Sequence, residues 1–289
     1  MKEYLVVICL LFVVASTDSV VAKAIAENPA TIVELAIDSD DSRMPGHAYL
    51  AAGKEPHPTI LLLHGYPGNE KNLDVAQALR RQGWNVLFFH YRGAWGSEGD
   101  FSFRGAEQDV QVVLNYMMEK DNAAKLRIDR SKISLVGHSM GGHMAIAGIL
   151  GNQAVKCSVA YDGVNIGKIK AAYSNNPKRK KGWLDYADQL FMLNNWSGEK
   201  ADKELTEYSS DLDLLNHVDK INGRPVQLIS ANTQVIPVET HIMPLYEALK
   251  ATKNSNVSYI TIEDDHSFSS TRLELIDATA KFLNSNCRD

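Results

Sequence analysis

Gly137-His138-Ser139-Met140-Gly141 fits the pattern G-x-S-x-G, which could present an activated serine. A serine hydroxyl is a weak nucleophile until a base takes its proton. The five residues are a weak signal in isolation and become informative when an apolar strand runs into them and a helix leaves them. Both conditions hold here: residues 132–136 read KISLV, and residues 141–150 are small or apolar apart from His143. The expected product is a sharp turn that stands Ser139 at the edge of a sheet. There the N-terminus of a helix favours negative charge as it develops.

Of nine histidines, His266 suits the role of base. It lies in Asp264-Asp265-His266-Ser267-Phe268, just after the apolar run of residues 257–262. In a parallel sheet that puts it at the same edge as Ser139, in the chain order expected of a nucleophile followed by its histidine. His138 adjoins the serine but must face elsewhere on so tight a turn, and His64 reads as a residue that orients a loop. An oxyanion formed at Ser139 needs two backbone N–H donors. Met140, next after the nucleophile, is one. The other is expected from His64-Gly65-Tyr66-Pro67-Gly68; Pro67 carries no N–H, which leaves Tyr66.

These residues need a scaffold. From residue 31 onward apolar runs alternate with helical patterns. Residues 31–37 and 47–52 read as half-buried strands joined by a turn over residues 42–46, where Pro45-Gly46 supplies punctuation. Residues 59–64 (TILLLH) and 85–90 (NVLFFH) are continuous apolar runs suited to strands buried on both faces. Further strands are expected over 132–136, 158–161, 225–230 and 257–262, with helices over 70–82, 106–125, 141–150, 240–249 and 271–283. Such alternation predicts an α/β fold with a mostly parallel twisted sheet covered on both faces. Residues 163–222 break the rhythm: no strand pattern, but Tyr173, Trp183, Tyr186, Phe191, Trp196 and Tyr208, with a basic cluster at 178–181. A structureless loop of that length is unusual in a compact domain, so the segment is read as a helical lid or cap, and its basic cluster as a solvated face.

The composition, 45% hydrophobic and 22% charged with a net charge of −5, is that of a folded globular chain and lacks the basic balance of a nucleic-acid binder. Lys2, the apolar run of residues 5–15 and the small residues around 20–24 read as a secretory signal peptide over residues 1–24, followed by one domain over 25–289. The run is shorter than a membrane span. The expectation is a secreted or periplasmic protein with no stable membrane insertion after cleavage. Cys9 would leave with the signal; Cys157 and Cys287 remain, free to pair in an oxidising compartment. No metal-ligand spacing and no G-x-G-x-x-G after a strand is found, so neither metal nor cofactor is expected. Oligomeric state is not legible.

With HGYPG (64–68), HYRGAWGSEG (90–99), GHSMGG (137–142) and DDHSF (264–268) in this order, the chain resembles the α/β-hydrolases, in particular the prolyl-oligopeptidase-like, dienelactone-hydrolase-like and carboxylesterase groups. The resemblance implies an α/β-hydrolase fold and a serine hydrolase that cleaves a small-molecule ester, or less readily a peptide or amide, through an acyl-enzyme. It gives Tyr91 and Arg92 a structural loop and no catalytic part. One departure stands out. Such proteins usually carry the triad acid just after the penultimate strand, where this chain reads Ser230-Ala231-Asn232-Thr233-Gln234-Val235-Ile236-Pro237, without a carboxylate. Asp162, at the end of the preceding strand, is the first candidate; Glu239 and the adjoining Asp264 and Asp265 are others. Were none to serve, the chain would be a non-catalytic ligand binder on a hydrolase scaffold.

Overall fold

The computed structural model describes residues 27–288; the expected signal peptide and Cys9 lie outside the described residues. Eight strands form one sheet in the order β1-β2-β4-β3-β5-β6-β7-β8. They are β1 (Thr31–Ser39), β2 (Ser42–Leu50), β3 (His57–Leu63), β4 (Asn85–Phe89), β5 (Ile128–His138), β6 (Val155–Tyr161), β7 (Val226–Ser230) and β8 (Val257–Thr261). β1 and β2 run antiparallel to their neighbours, and every pairing from β4 to β8 is parallel. The helices between them are α1 (Leu73–Arg81), α2 (Phe103–Met118), α3 (Lys120–Lys125), α4 (Met140–Gly151), α5 (Ile169–Tyr173), α6 (Pro177–Asp188), α7 (Gly198–Tyr208), α8 (Val238–His241), α9 (Met243–Lys250) and α10 (Arg272–Asn286).

The continuous apolar runs are explained by burial on both faces. Alternate residues of each central strand feed opposite cores. Leu61, Leu63, Leu87, Phe89 and Leu135 pack with α2 and α4 on one side. Ile60, Leu62, Val86, Phe88 and Val136 pack with α1 and α10 on the other. The helix α4 is buried on nearly every side, so it is apolar all round, as an interior helix must be. Small residues let it sit close: a side chain on Gly148 would overlap Leu135 of β5.

The first hairpin differs from expectation. Its turn is the pair Asp40-Asp41, with Asp40 at φ 51°, and Pro45-Gly46 lies inside β2. Gly46 is needed there for a different reason, because a Cβ would collide with the backbone of Phe88 in the neighbouring β4. The glycine marks close strand approach, and the acidic pair, which tolerates left-handed backbone, makes the turn. Residues 163–222 contain α5, α6 and α7 with two 3₁₀ segments, Ile166–Lys168 and Leu214–Ile221. They pack over the ends of the parallel strands and pair once with the loop after β4, at Ala94 and Leu193.

Cys157 of β6 and Cys287, the residue that ends α10, form a disulfide across 130 positions of chain. It fastens the last helix to the middle of the sheet. Closing so long a loop restricts the unfolded chain, and its loss is expected to cost about 2–4 kcal/mol. Urea unfolding of the native protein with and without reductant, and of the Cys157→Ala/Cys287→Ala pair, should show that loss; equal midpoints in all three would rule out a stabilising bond.

Candidate active site

β5 ends in His138, and the chain then turns abruptly through Ser139 into α4. Ser139 holds φ 59° and ψ −118°, a backbone state that side chains rarely adopt and that stores strain at functional turns. Neighbouring hydrogen bonds impose it: Ser139 N–H donates to Tyr161 O at 2.9 Å, and Ser139 O accepts from Gly142 and Val164 N–H at 3.0 and 3.2 Å. Gly137 is obligatory, since a Cβ there would overlap the Gly141 carbonyl. Ser139 is 9% exposed. With His266, Gly65, Tyr66 and Tyr186 it lines a cavity of about 160 Å³.

His266 Nδ1 donates to Asp162 Oδ2 at 2.6 Å. The carboxylate is fully buried, while the imidazole keeps 22% of its side-chain surface. Asp162 leaves β6 in a left-handed conformation, φ 40°, pinned by its own N–H to Ile229 O at 2.7 Å. Its second oxygen accepts from Ala231 N–H at 3.2 Å. Ala231 begins the loop in which a carboxylate was missing; that loop contributes a backbone donor and leaves the charge to the next strand.

The other candidate acids have different partners. Glu239 is exposed on α8. Asp264 Oδ2 accepts from Ser270 and Thr271 N–H, and Asp265 Oδ1 from Ser267 and Ser269 N–H, so both carboxylates fold the loop around His266. Arg272 ties the same loop to α1, donating to Ser267 O and pairing with Asp74.

Of the two expected oxyanion donors, Tyr66 lines the cavity with Ser139, whereas Met140 follows Ser139 in the chain and is not among the lining residues. Among the described residues neither Tyr66 N–H nor Met140 N–H has an acceptor. The peptide unit carrying Tyr66 N–H is gripped at its other end, where Gly65 O accepts from His64 Nδ1 at 2.9 Å. A side chain on Gly65 would press on the Ser139 Cβ at 3.0 Å, so the glycine allows the loop to lie against Ser139. Tyr91 is buried and donates its hydroxyl to His64 O at 3.3 Å, and Arg92 pairs with Asp109 and Asp40.

Sequence reading gave no part in the site to three histidines that support it: His138, which it expected to face elsewhere, and His143 and His241. His138 Nε2 donates to His266 O at 2.7 Å, its ring 4.5 Å from that of His266, and so supports the backbone of His266. His241 Nδ1 accepts from Asn165 N–H and His143 Nδ1 from Ile166 N–H, both at 3.2 Å, which fixes the loop after Asp162. None of the three ends a strand beside a recognisable motif except His138, whose direction a sequence does not reveal.

Several of these rings are held neutral. Burial, then the neighbouring His90, pushes His64 down to about 3; burial, then His266, does the same to His138. Burial and then Lys71 lower His90 to about 4. Unfolded histidines titrate near 6.5, so between roughly pH 3 and 6.5 the unfolded chain binds more protons than the folded one. Stability must then rise with pH across that window. Urea midpoints should fall progressively from pH 7 to pH 5, and His138→Gln should flatten the slope; a midpoint independent of pH would contradict this account.

A family model described as BD-FAE matches residues 48–181. An Escherichia coli protein described as an uncharacterized 31.7 kDa protein in the traX-finO intergenic region is 26% identical over 180 residues. The match covers 60% of this chain and 60% of that relative, less than two thirds of its length. Among solved structures, the Pyrococcus horikoshii acylaminoacyl peptidase is similar at a TM-score of 0.67 and 16% identity, covering 95% of this chain and 44% of that one. The Pyrococcus furiosus esterase Pf2001 gives 0.63 and 20%, with coverages of 96% and 95%. At such identities the likeness is one of fold, and strand order, connection and nucleophile turn agree with it. The chain has the α/β-hydrolase fold.

Proposed function

We propose that the protein is a serine hydrolase that cleaves carboxylic esters by way of an acyl-enzyme. The observation that carries this reading is the hydrogen bond from His266 Nδ1 to the buried Asp162, because it leaves Nε2 of the same ring available to serve Ser139. Ser139 Oγ attacks the acyl carbonyl and its proton passes to His266 Nε2. Tyr66 and Met140 N–H groups receive the oxyanion. The imidazolium returns the proton to the departing alkoxide, and water then repeats the sequence to release the acid. Asp162 fixes the tautomer and balances the transient charge. The bond also favours catalysis over the non-catalytic binder, whose motive was the absent carboxylate after β7.

Room for substrate is consistent with a small or medium ester. A cleft of about 610 Å³, separate from the cavity that Ser139 lines, runs between the lid and the loop after β7, walled by Val164, Tyr173, Trp183 and Ile236. Val164 is the residue whose N–H bonds to Ser139 O. Peptide or amide substrates, suggested by the likeness to an acylaminoacyl peptidase, come second. We extend the proposal to location: residues 1–24 direct export, and the Cys157–Cys287 disulfide suits an oxidising compartment.

A fluorophosphonate probe should label the native protein and fail to label Ser139→Ala. On p-nitrophenyl butyrate, Asp162→Asn should lower kcat by about 10⁴, the effect of the corresponding change in serine proteases. Absence of labelling in the native protein would sink the reading. For export, the intact mass of protein recovered outside the cytoplasm should correspond to a start near residue 25; retention of residues 1–24 there would argue against cleavage.

A further inference from the structure

The side chain of Tyr66 is enclosed by the lid. Its ring lies 5.8 Å from Trp183, 5.9 Å from Tyr186 and 6.3 Å from Trp196, with Phe101 and Phe103 at 5.9 and 5.3 Å beneath. Trp196 Nε1 donates to the Tyr66 hydroxyl at 2.6 Å, and the Tyr186 hydroxyl to Tyr66 O at 3.4 Å. The next carbonyl, Pro67 O, accepts from Trp95 Nε1 at 2.6 Å, while Trp95 N–H in turn donates to Met192 O on the lid. Every polar group of Tyr66 other than its N–H is thus engaged by residues 186 and 196.

The arrangement is unusual for a substrate wall. Trp183 and Tyr186 line the cleft behind the lid and the cavity at Ser139, but Trp196 gives its N–H to the phenol, meets Phe101 and Phe103 edge-to-face, and borders only a separate cleft that does not include Ser139. His64 sets the tilt of the Gly65–Tyr66 peptide from one side. The aromatic cage sets the Tyr66 Cα from the other. Both ends are held, the Tyr66 N–H has no acceptor among the described residues, and Tyr66 lines the cavity with Ser139.

Resting on the hydrolase reading above, we infer that Trp196 and Tyr186 are positioning residues for the oxyanion donor, so that the lid completes the catalytic site as well as covering it. An oxyanion interaction strengthens only in the transition state, so a loosened donor should lower kcat and leave KM alone. Outright loss of such a donor costs about 10²–10³ in kcat.

Trp196→Phe keeps the ring and removes the N–H; Tyr66→Phe keeps the amide and removes the acceptor. On p-nitrophenyl butyrate each is expected to lower kcat about tenfold, a part of the loss of a whole donor, with KM within about twofold. The double variant should be no worse than either single one, since both delete one bond. Thermal unfolding establishes that each variant is folded, and fluorophosphonate labelling that Ser139 is intact. A rise in KM at unchanged kcat would assign Trp196 to the substrate wall and overturn the inference. So would unchanged kinetics, or additive losses in the double variant. A native protein without Ser139-dependent turnover would instead overturn the parent reading, which separates the two failures.

Discussion

Burying the Asp162 carboxylate is the constraint on which the site depends. An ionised carboxylate without solvent is tolerated only when its oxygens are hydrogen-bonded and its charge has a partner. Here Ala231 N–H holds one oxygen and His266 Nδ1 the other. Three strand ends, those of β6, β7 and β8, meet at this group. None of the three loops can shift without stripping the carboxylate of a partner, so the electrostatic cost of exposing a bare charge to the core acts as a restraint on loop geometry. Parallel strand direction makes the meeting possible, because it delivers the C-terminal ends of β3, β5, β6, β7 and β8 to one edge.

Much of this was legible in the residues. The serine turn is so confined that its glycines can be read directly: at 137 and 65 a side chain would strike backbone or the nucleophile itself. The strands were legible because burial on both faces demands unbroken apolar runs. Position along the chain sufficed for His266, because a parallel sheet converts the end of an apolar run into a place. The choice among acids was not legible to the same degree. Asp162, Glu239, Asp264 and Asp265 all lie near strand ends, and what separates them is direction: Asp264 and Asp265 curl back onto their own loop's N–H groups, while Asp162 is turned inward by a left-handed backbone that no propensity foretells. The hairpin illustrates the same limit. Pro45-Gly46 carries turn chemistry, yet the close packing of β2 against Phe88 claims the glycine, and the less conspicuous Asp40-Asp41 makes the turn.

The lid helices show how a long segment without strands can still be essential to a sheet protein. Their aromatic residues read, in sequence, as an undivided set. In three dimensions Trp183 and Tyr186 line the cleft and cavity on the Ser139 side, whereas Trp196 packs against Phe101 and Phe103, borders a separate cleft and addresses Tyr66. The division follows from where Tyr66 lies. A loop such as residues 64–68, built on glycines and a proline, has little stiffness of its own, and a large ring at its centre gives the surrounding protein something to grip.

A second economy concerns histidine. His64, His138, His143 and His241 all lie around the proposed catalytic pair, and each acts through a definite ring nitrogen. His64 must carry its proton on Nδ1 to reach Gly65 O, and His138 on Nε2 to reach His266 O; His143 and His241 must leave Nδ1 bare to accept from the loop after Asp162. Burial enforces this for His64 and His138 by making the charged form costly. Were His138 to charge, a cation would stand 4.5 Å from the ring of His266 and oppose the imidazolium that the proposed reaction requires. Keeping the neighbours neutral therefore serves the base twice: it holds the backbone in place, and it leaves Asp162 as the charge that the protonated His266 meets first.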